Sequence, residues 1–212
     1  MKEIRLLSAQ DIECRAQQVA KDFSWCSLLL YKNARVDMQI LDETFGRFGW
    51  KRSHELINGR LYCTVSIYDE EKGQWVSKQD VGVESNTEAE KGQASDAFKR
   101  ACFNVGIGRE LYTAPKIFIS LTIDDVKNSR LSTRFDVRAI EYTNNQISYL
   151  QIVDNKGILR YEYADKNKVI KNVKSSRTLD DLTRIFNAHR ELQSDNDFIS
   201  ALTNRKNQLQ TA

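Results

Sequence analysis

Residues 86–112 read NTEAEKGQASDAFKRACFNVGIGRELY, and this stretch decides what the rest of the chain is built around. Thr87 with Glu90 three residues later is a capping-box pattern, and Glu88 and Glu90 put negative charge where a helix dipole is positive, so a helix is expected to start here. Ala94, Ala97, Phe98, Ala101, Cys102 and Val105 recur at the i, i+3, i+4, i+7 spacing of one helical face. Gly106 and Gly108 supply the permissive backbone that ends the helix. Asp96, Lys99, Arg100 and Phe103 fall off the apolar stripe, so one helix carries a core face and a basic face with an aromatic on it.

Working backwards, Trp50 to Ile57, the turn pair Asn58-Gly59 and Arg60 to Asp69 read as a hairpin, with Leu61, Cys63, Val65 and Ile67 alternating inward. Glu70 to Gly73 makes a second turn and Trp75 to Val83 a third strand leading to the long helix. Before the hairpin, Asn33 caps a helix carrying Val36, Ile40, Leu41 and Phe45, stopped by Gly46 and Gly49. Trp25 to Tyr31 is an apolar run of ambiguous type, and Ser8 with Asp11 opens an expected helix to about Lys21 with Ile12, Ala16 and Val19 inside. The expected fold is α+β: an α-β-β-β-α core whose three-stranded antiparallel sheet packs on the long helix.

Working forwards, Pro115, the only proline, marks the exit from that core. Ile117 to Ile123, Arg134 to Thr143, Ile147 to Val153 and Ile158 to Tyr163 read as strands of a second small antiparallel unit, with Asn144-Asn145 and Asp154 to Gly157 as turns. Lys166 to Arg177 holds five basic residues and no acid, which suits either a solvated connector or an auxiliary nucleic-acid contact. Thr178 with Asp181 caps a helix to about Leu192, and an amphipathic helix around Phe198 to Leu209 follows. A soft division is expected between a core over 1–125 and an extension with C-terminal helices over 126–212.

At 212 residues the chain has room for one sizeable core. A formal net charge of +3 is only mildly basic, so a nucleic-acid site must come from local clustering. Cys14, Cys26, Cys63 and Cys102 have neither C-x-x-C nor Cys/His spacing, and His54 and His189 stand apart, so neither zinc nor a disulfide framework is expected. No apolar run reaches the ~18 residues of a membrane span and no signal peptide is evident, which reads as a cytoplasmic chain without membrane contact. No G-x-x-x-x-G-K-[ST] is present to cradle nucleotide phosphates. The E-x-K at Glu70 to Lys72 falls in a hairpin turn, where a charged turn explains it better than a nuclease centre. No enzymatic activity and no cofactor is expected.

The pattern K-x-x-A-S-D-x-F-K-R-A-C-F-N-x-G-I-G-R-E-L-Y from Lys91, with ARVDMQILDETFGRFGW from Ala34 and QDVGVES from Gln79, resembles the Sak-type phage single-strand annealing proteins, relatives of the Rad fifty-two recombination proteins of eukaryotes. The resemblance covers about half the chain and thins out after Pro115. It implies binding of single-stranded DNA and ATP-independent annealing of complementary strands in recombination and repair, by a ring-like or helical homo-oligomer in the cytoplasm of a bacterial host. An exonuclease or single-strand binding protein would be a further partner. By the resemblance Lys99 and Arg100 meet phosphates and Asp96 orients the pair, with Arg35, Arg47, Lys51, Arg52 and Lys78 as neighbouring candidates.

Bland readings stand beside these. A helix dipole alone favours Lys99 and Arg100 late in a helix, and Asp96 can pair with either. Each of the other five cations is equally an ordinary solvated charge. Phe103 stands where the eukaryotic relatives tend to carry a further arginine, and it has three readings: packing under a later strand, packing against a neighbouring subunit, or stacking on a base. The alternative function from another class is a double-stranded RNA binding module, which shares the α-β-β-β-α order. Such modules place lysines at the start of their last helix, where this chain is acidic.

Overall fold

The computed structural model describes residues 3–83 and 89–210. Thr87, Glu88 and the Glu90 side chain, read above as a helix cap, lie outside the described residues. The strands are β1 (Glu13–Val19), β2 (Trp25–Tyr31), β3 (Trp50–Ile57), β4 (Arg60–Asp69), β5 (Gln74–Val81), β6 (Ile117–Ser120), β7 (Val126–Lys127), β8 (Arg130–Leu131), β9 (Phe135–Thr143), β10 (Gln146–Asp154) and β11 (Leu159–Ala164). The helices are α1 (Ala34–Phe45), α2 (Ala89–Val105), α3 (Lys166–Ser175), α4 (Leu179–Ala188) and α5 (Asn196–Gln210).

The expected α-β-β-β-α order is present as α1, β3, β4, β5 and α2. Asn33 caps α1 by accepting from the amides of Arg35 and Val36, and the β3-β4-β5 sheet is antiparallel and paired throughout. Ala97, Phe98, Ala101 and Cys102 of α2 are fully buried, as their spacing predicts. Phe98 stacks on Trp50 with ring centroids 6.1 Å apart. Gly82 lets β5 hand the chain to this helix at close range, because a Cβ there would lie 2.1 Å from the Gln93 carbonyl oxygen.

Two expectations fail at the N-terminal end and beyond Pro115. Ser8 to Lys21 is not a helix: a single 3-10 turn, Ala9–Asp11, precedes β1. The Ser8 and Asp11 capping box is real but closes only that turn, with the Asp11 carboxylate also gripped by Arg5 at 2.7 Å. Ile12, Cys14 and Ala16 satisfy a period of two as well as Ile12, Ala16 and Val19 satisfy a helix, and pairing of β1 with the apolar β2 decides between them. Nor do the later strands form a separate small unit. They complete a six-stranded antiparallel sheet in the order β11-β10-β9-β1-β2-β6, which curls into a nearly closed, barrel-like form. Strands from both sides of residue 125 therefore share one sheet.

Side chains bridge the seam of that sheet. The Tyr161 hydroxyl donates to the Lys116 carbonyl at 3.3 Å, and Arg160 donates to the Ser120 carbonyl at 2.9 Å. Arg160 also grips Asp125 through both terminal nitrogens, at 2.9 and 2.8 Å, and holds that carboxyl well below the usual carboxylate range. The basic stretch Lys166 to Arg177 is largely α3, which with α4 and α5 encloses a second cluster of Val169, Val173, Leu182, Phe198 and Ala201.

The most consequential polar contact lies beneath α2. Lys32, just past β2, and Asp37, in the first turn of α1, form a fully buried ion pair. The Lys32 ammonium also sits 4.2 Å from the Phe103 ring centroid, and the Cys102 thiol lies against the Asp37 carboxylate. A Cβ at Gly108 would come within 2.5 Å of Lys32 Cε, and its φ of +78° is left-handed, so both space and backbone call for glycine there. Burial raises the Asp37 carboxyl to about 6, with Lys32 opposing the rise. A folded-state value above the unfolded 3.8 means that the folded chain holds this proton more tightly. The stabilising contribution of that proton is complete below pH about 4 and is lost as the pH rises through about 6.

Lys32→Met should therefore lower stability by about 3–5 kcal/mol at pH 7.5, since it leaves a buried carboxylate uncompensated. Part of the loss should return at pH 5, and adding Asp37→Leu should recover most of it, as read by urea unfolding of both variants. A Lys32→Met protein within 1 kcal/mol of wild type by that measurement would show the pair to be dispensable.

Candidate nucleic-acid interface

The side chains of α2 that miss the core diverge. Lys99 reaches toward β1 and α1: its ammonium is 3.8 Å from Asp96, and its charge helps to lower the Glu13 carboxyl after hydrogen bonds from Tyr31 and Asn33. Arg100 leans the other way, over β5, with Nε 3.2 Å from Asp80 Oδ1 and its side chain 46% exposed. Asp96 thus orients Lys99 alone, and its second role is to accept the Val83 amide at 3.1 Å. The expected partner of Arg100 is replaced by Asp80, because β5 runs along the flank of α2 that Arg100 faces.

Phe103 is part-buried and packs within its own chain under a 3-10 turn, not under a later strand. Its ring lies 5.0 Å from that of Tyr112, on the 3-10 turn Arg109–Thr113, with Lys32 beneath it. The aromatic presented to solvent is Tyr112, which is 76% exposed. Between them Arg109 folds back, donating from Nε to the Phe103 carbonyl at 2.6 Å and from Nη2 to the Asn104 carbonyl at 2.7 Å. Those are carbonyls of the last helical turn, at the negative end of the dipole; the Phe103 carbonyl also accepts the Gly106 amide at 3.1 Å.

Asp80, Arg100, Phe103, Asn104, Arg109 and Tyr112 line a depression of about 220 Å³. Asn104 and Arg109 also line a larger neighbouring cleft of about 500 Å³, in which Lys78 stands. Sequence reasoning missed Arg109 and Tyr112. A signal for Arg109 was there, an arginine just beyond a glycine helix stop, but nothing marked Tyr112 as exposed.

The remaining candidates are scattered. Arg52 lies on the α2 side of β3 with its guanidinium 4.7 Å over the Phe98 ring, so it packs against the core helix. Lys51 points from the opposite sheet face, 4.1 Å over the Trp75 ring. Arg35 is exposed at the start of α1 and Arg47 just beyond its end, about 18 Å away along a 12-residue helix. In α3, Lys166 is engaged by Asp195 and Asp197 and Lys168 by Glu141, each at 2.7 Å, whereas Lys171 and Lys174, and Arg177 just beyond the helix, are exposed.

Glu70 to Lys72 occupies the β4–β5 turn, where the Asp69 carboxylate accepts the amides of Glu71 and Lys72. Among the described residues no three His, Cys, Asp or Glu side chains converge as metal ligands, and no helix is long and apolar enough to cross a membrane. The four cysteines are free, and burial pushes Cys26 and Cys63 up to about 11 and Cys14 to about 12. In comparisons with known proteins the chain matches no family model and no curated sequence.

Arg109→Ala should lower stability by roughly 1–2 kcal/mol through the uncapped end of α2. Arg109→Lys should recover less than half, because an ammonium cannot span both carbonyls as the guanidinium fork does. Urea unfolding of the two variants beside wild type checks both statements.

Proposed function

We propose that this chain binds single-stranded DNA along the basic flank of α2 and anneals complementary strands without nucleotide hydrolysis, as a homo-oligomer. The observation that carries the reading is one groove in which Arg100 and Arg109 stand beside an exposed tyrosine, with Lys99 on the same helix. Cations on such a surface meet phosphates, and an aromatic face stacks a base of any identity, which suits a strand held without sequence preference. The resemblance of residues 86–112 to the annealing family supports the same reading.

The chemistry asked of the protein is modest. Duplex formation is downhill, so the protein has only to hold strands extended and reduce their mutual repulsion. Asp80 sets a condition: a phosphate must displace or share its contact with Arg100, which keeps binding weak for each subunit. One subunit's groove spans few nucleotides, and assembly of several copies lengthens it.

Complementary labelled oligonucleotides should anneal faster with the protein and no nucleotide. If Lys99, Arg100 and Arg109 each meet a phosphate, log affinity against log salt should have a slope of about −2 per subunit. Lys99→Ala/Arg100→Ala should keep its melting within about 1 kcal/mol of wild type, alanine being a good helix former off the apolar stripe, while single-strand affinity collapses. Wild-type binding by that variant would remove the site. Preference for preformed duplex RNA, without accelerated annealing, would replace this function with the duplex RNA module of the same α-β-β-β-α order.

A further inference from the structure

Helix α3 buries Val169 and Val173 in the cluster it shares with α4 and α5, and every charged side chain on it is a cation. The fold uses two of the five cations between Lys166 and Arg177. Lys166 meets Asp195 and Asp197, which ties α3 to the start of α5, and Lys168 meets Glu141 of β9 and stands 5.0 Å from the Tyr149 ring centroid. The side chains of the other three, Lys171, Lys174 and Arg177, are exposed and have no hydrogen bond or ion pair among the described residues.

These three recur every third residue. Lys171 and Lys174 are therefore neighbours on one helical row, about 4.5 Å apart along the axis, and Arg177 follows just past the helix end. Like charges so placed repel and weaken a helix. The dipole offsets this only in the last turn, and at that end Arg205 of α5 already donates to the Ser176 carbonyl at 2.9 and 2.7 Å. Arg205 and the exposed Lys206 add to the positive end. Of the flanking carboxylates, Asp165 caps α3, and Asp181 caps α4 and meets Arg184, which leaves Asp180. A row of free cations spaced on the scale of strand phosphates, which rise about 3.4 Å each in a duplex, is a seat for a nucleic-acid backbone.

The row has a fixed place relative to the groove. The turn that carries Arg109 and Tyr112 ends at Thr113, whose hydroxyl accepts the Ile147 amide at 2.9 Å. The next residue of β10, Ser148, accepts the amide of Asp165, the cap of α3, at 2.8 Å. Two successive residues of one strand thus hold the groove's turn and the start of α3.

We propose that Lys171, Lys174 and Arg177 form a second phosphate contact, which takes up the backbone of the same single strand where it leaves the groove of Arg100, Arg109 and Tyr112. This rests on the strand binding proposed above. The groove has a tyrosine to stack a base, whereas α3 carries no aromatic, so the row meets backbone alone and adds affinity only for a strand long enough to reach it. Two weak contacts on one strand reinforce each other through effective concentration.

The test is fluorescence anisotropy of the full chain with labelled thymidine oligonucleotides of about 4 and about 16 nucleotides, the short one filling the groove alone. Lys171→Gln/Lys174→Gln/Arg177→Gln should melt no lower than wild type, since glutamine is a good helix former and the like-charge repulsion is gone. It should bind the short strand as wild type does, lose about tenfold or more in affinity for the long one at low salt, and flatten the long strand's log-log salt slope by about 2. Lys21→Gln/Arg60→Gln/Lys156→Gln removes as much charge from exposed positions off α3 and should change neither. Wild-type binding of the long strand by the α3 variant, an equal loss on both lengths, or an equal loss in the Lys21/Arg60/Lys156 variant would overturn the proposal. Polyglutamate of equal charge displacing the long strand as readily as unlabelled DNA does would assign the row to an acidic protein instead. Should Lys99→Ala/Arg100→Ala bind both lengths like wild type while the α3 variant loses the long one, the groove falls and the row stands; the converse result removes the row and leaves the groove.

Discussion

The buried pair of Lys32 and Asp37 is the contact on which the rest of the arrangement depends. It joins three elements at one point: the end of β2, the first turn of α1 and the underside of α2. Asp37 sits where the dipole of α1 favours a negative charge, and the Lys32 stem fills the space that Gly108 leaves empty. Two buried charges are a poor source of net stability, but here they tie the first turn of α1 to the end of β2 beneath the cover that α2 provides. Phe103 rests on Lys32 and Tyr112 rests on Phe103, so the exposed tyrosine of the groove is placed from below by this pair.

The groove follows from how α2 ends. Where the helix stops at a glycine, Arg109 returns to donate to the last carbonyls, those of Phe103 and Asn104, which brings a guanidinium to the same depression as Arg100. The same termination opens the apolar cleft next door, because nothing continues over the hairpin beyond Val105. Basic groove and apolar cleft are thus two consequences of one helix end.

Much of the fold was legible in the residues. The stripe of α2, the cap at Asn33 and the Asn58-Gly59 hairpin are local patterns whose physics is complete within a few residues, and the structure has each of them. Ser8 to Lys21 was misread because Ile12, Ala16 and Val19 fit a helix while Ile12, Cys14 and Ala16 fit a strand, and only the partner strand β2 separates the two. The later strands were identified singly but not their destination, since the pairing of Glu13 with Asp136 joins residues more than a hundred positions apart.

For the candidate site, the sequence by itself determined that Lys99 and Arg100 lie off the core face of a helix, because helical periodicity alone separates the two faces. It also determined that the β3-β4-β5 sheet is antiparallel, because tight turns allow nothing else. Tertiary structure decided which cations share a surface. Alternation along β3 sends Lys51 and Arg52 to opposite sheet faces, and packing against Phe98 draws Arg52 under the helix. The choice of Asp80 over Asp96 for Arg100, the packing of Phe103 against Tyr112 and the exposure of Tyr112 were likewise settled there. Each depends on which neighbour a side chain finds across the fold, and that information resides in long-range contacts, not in any short stretch of chain.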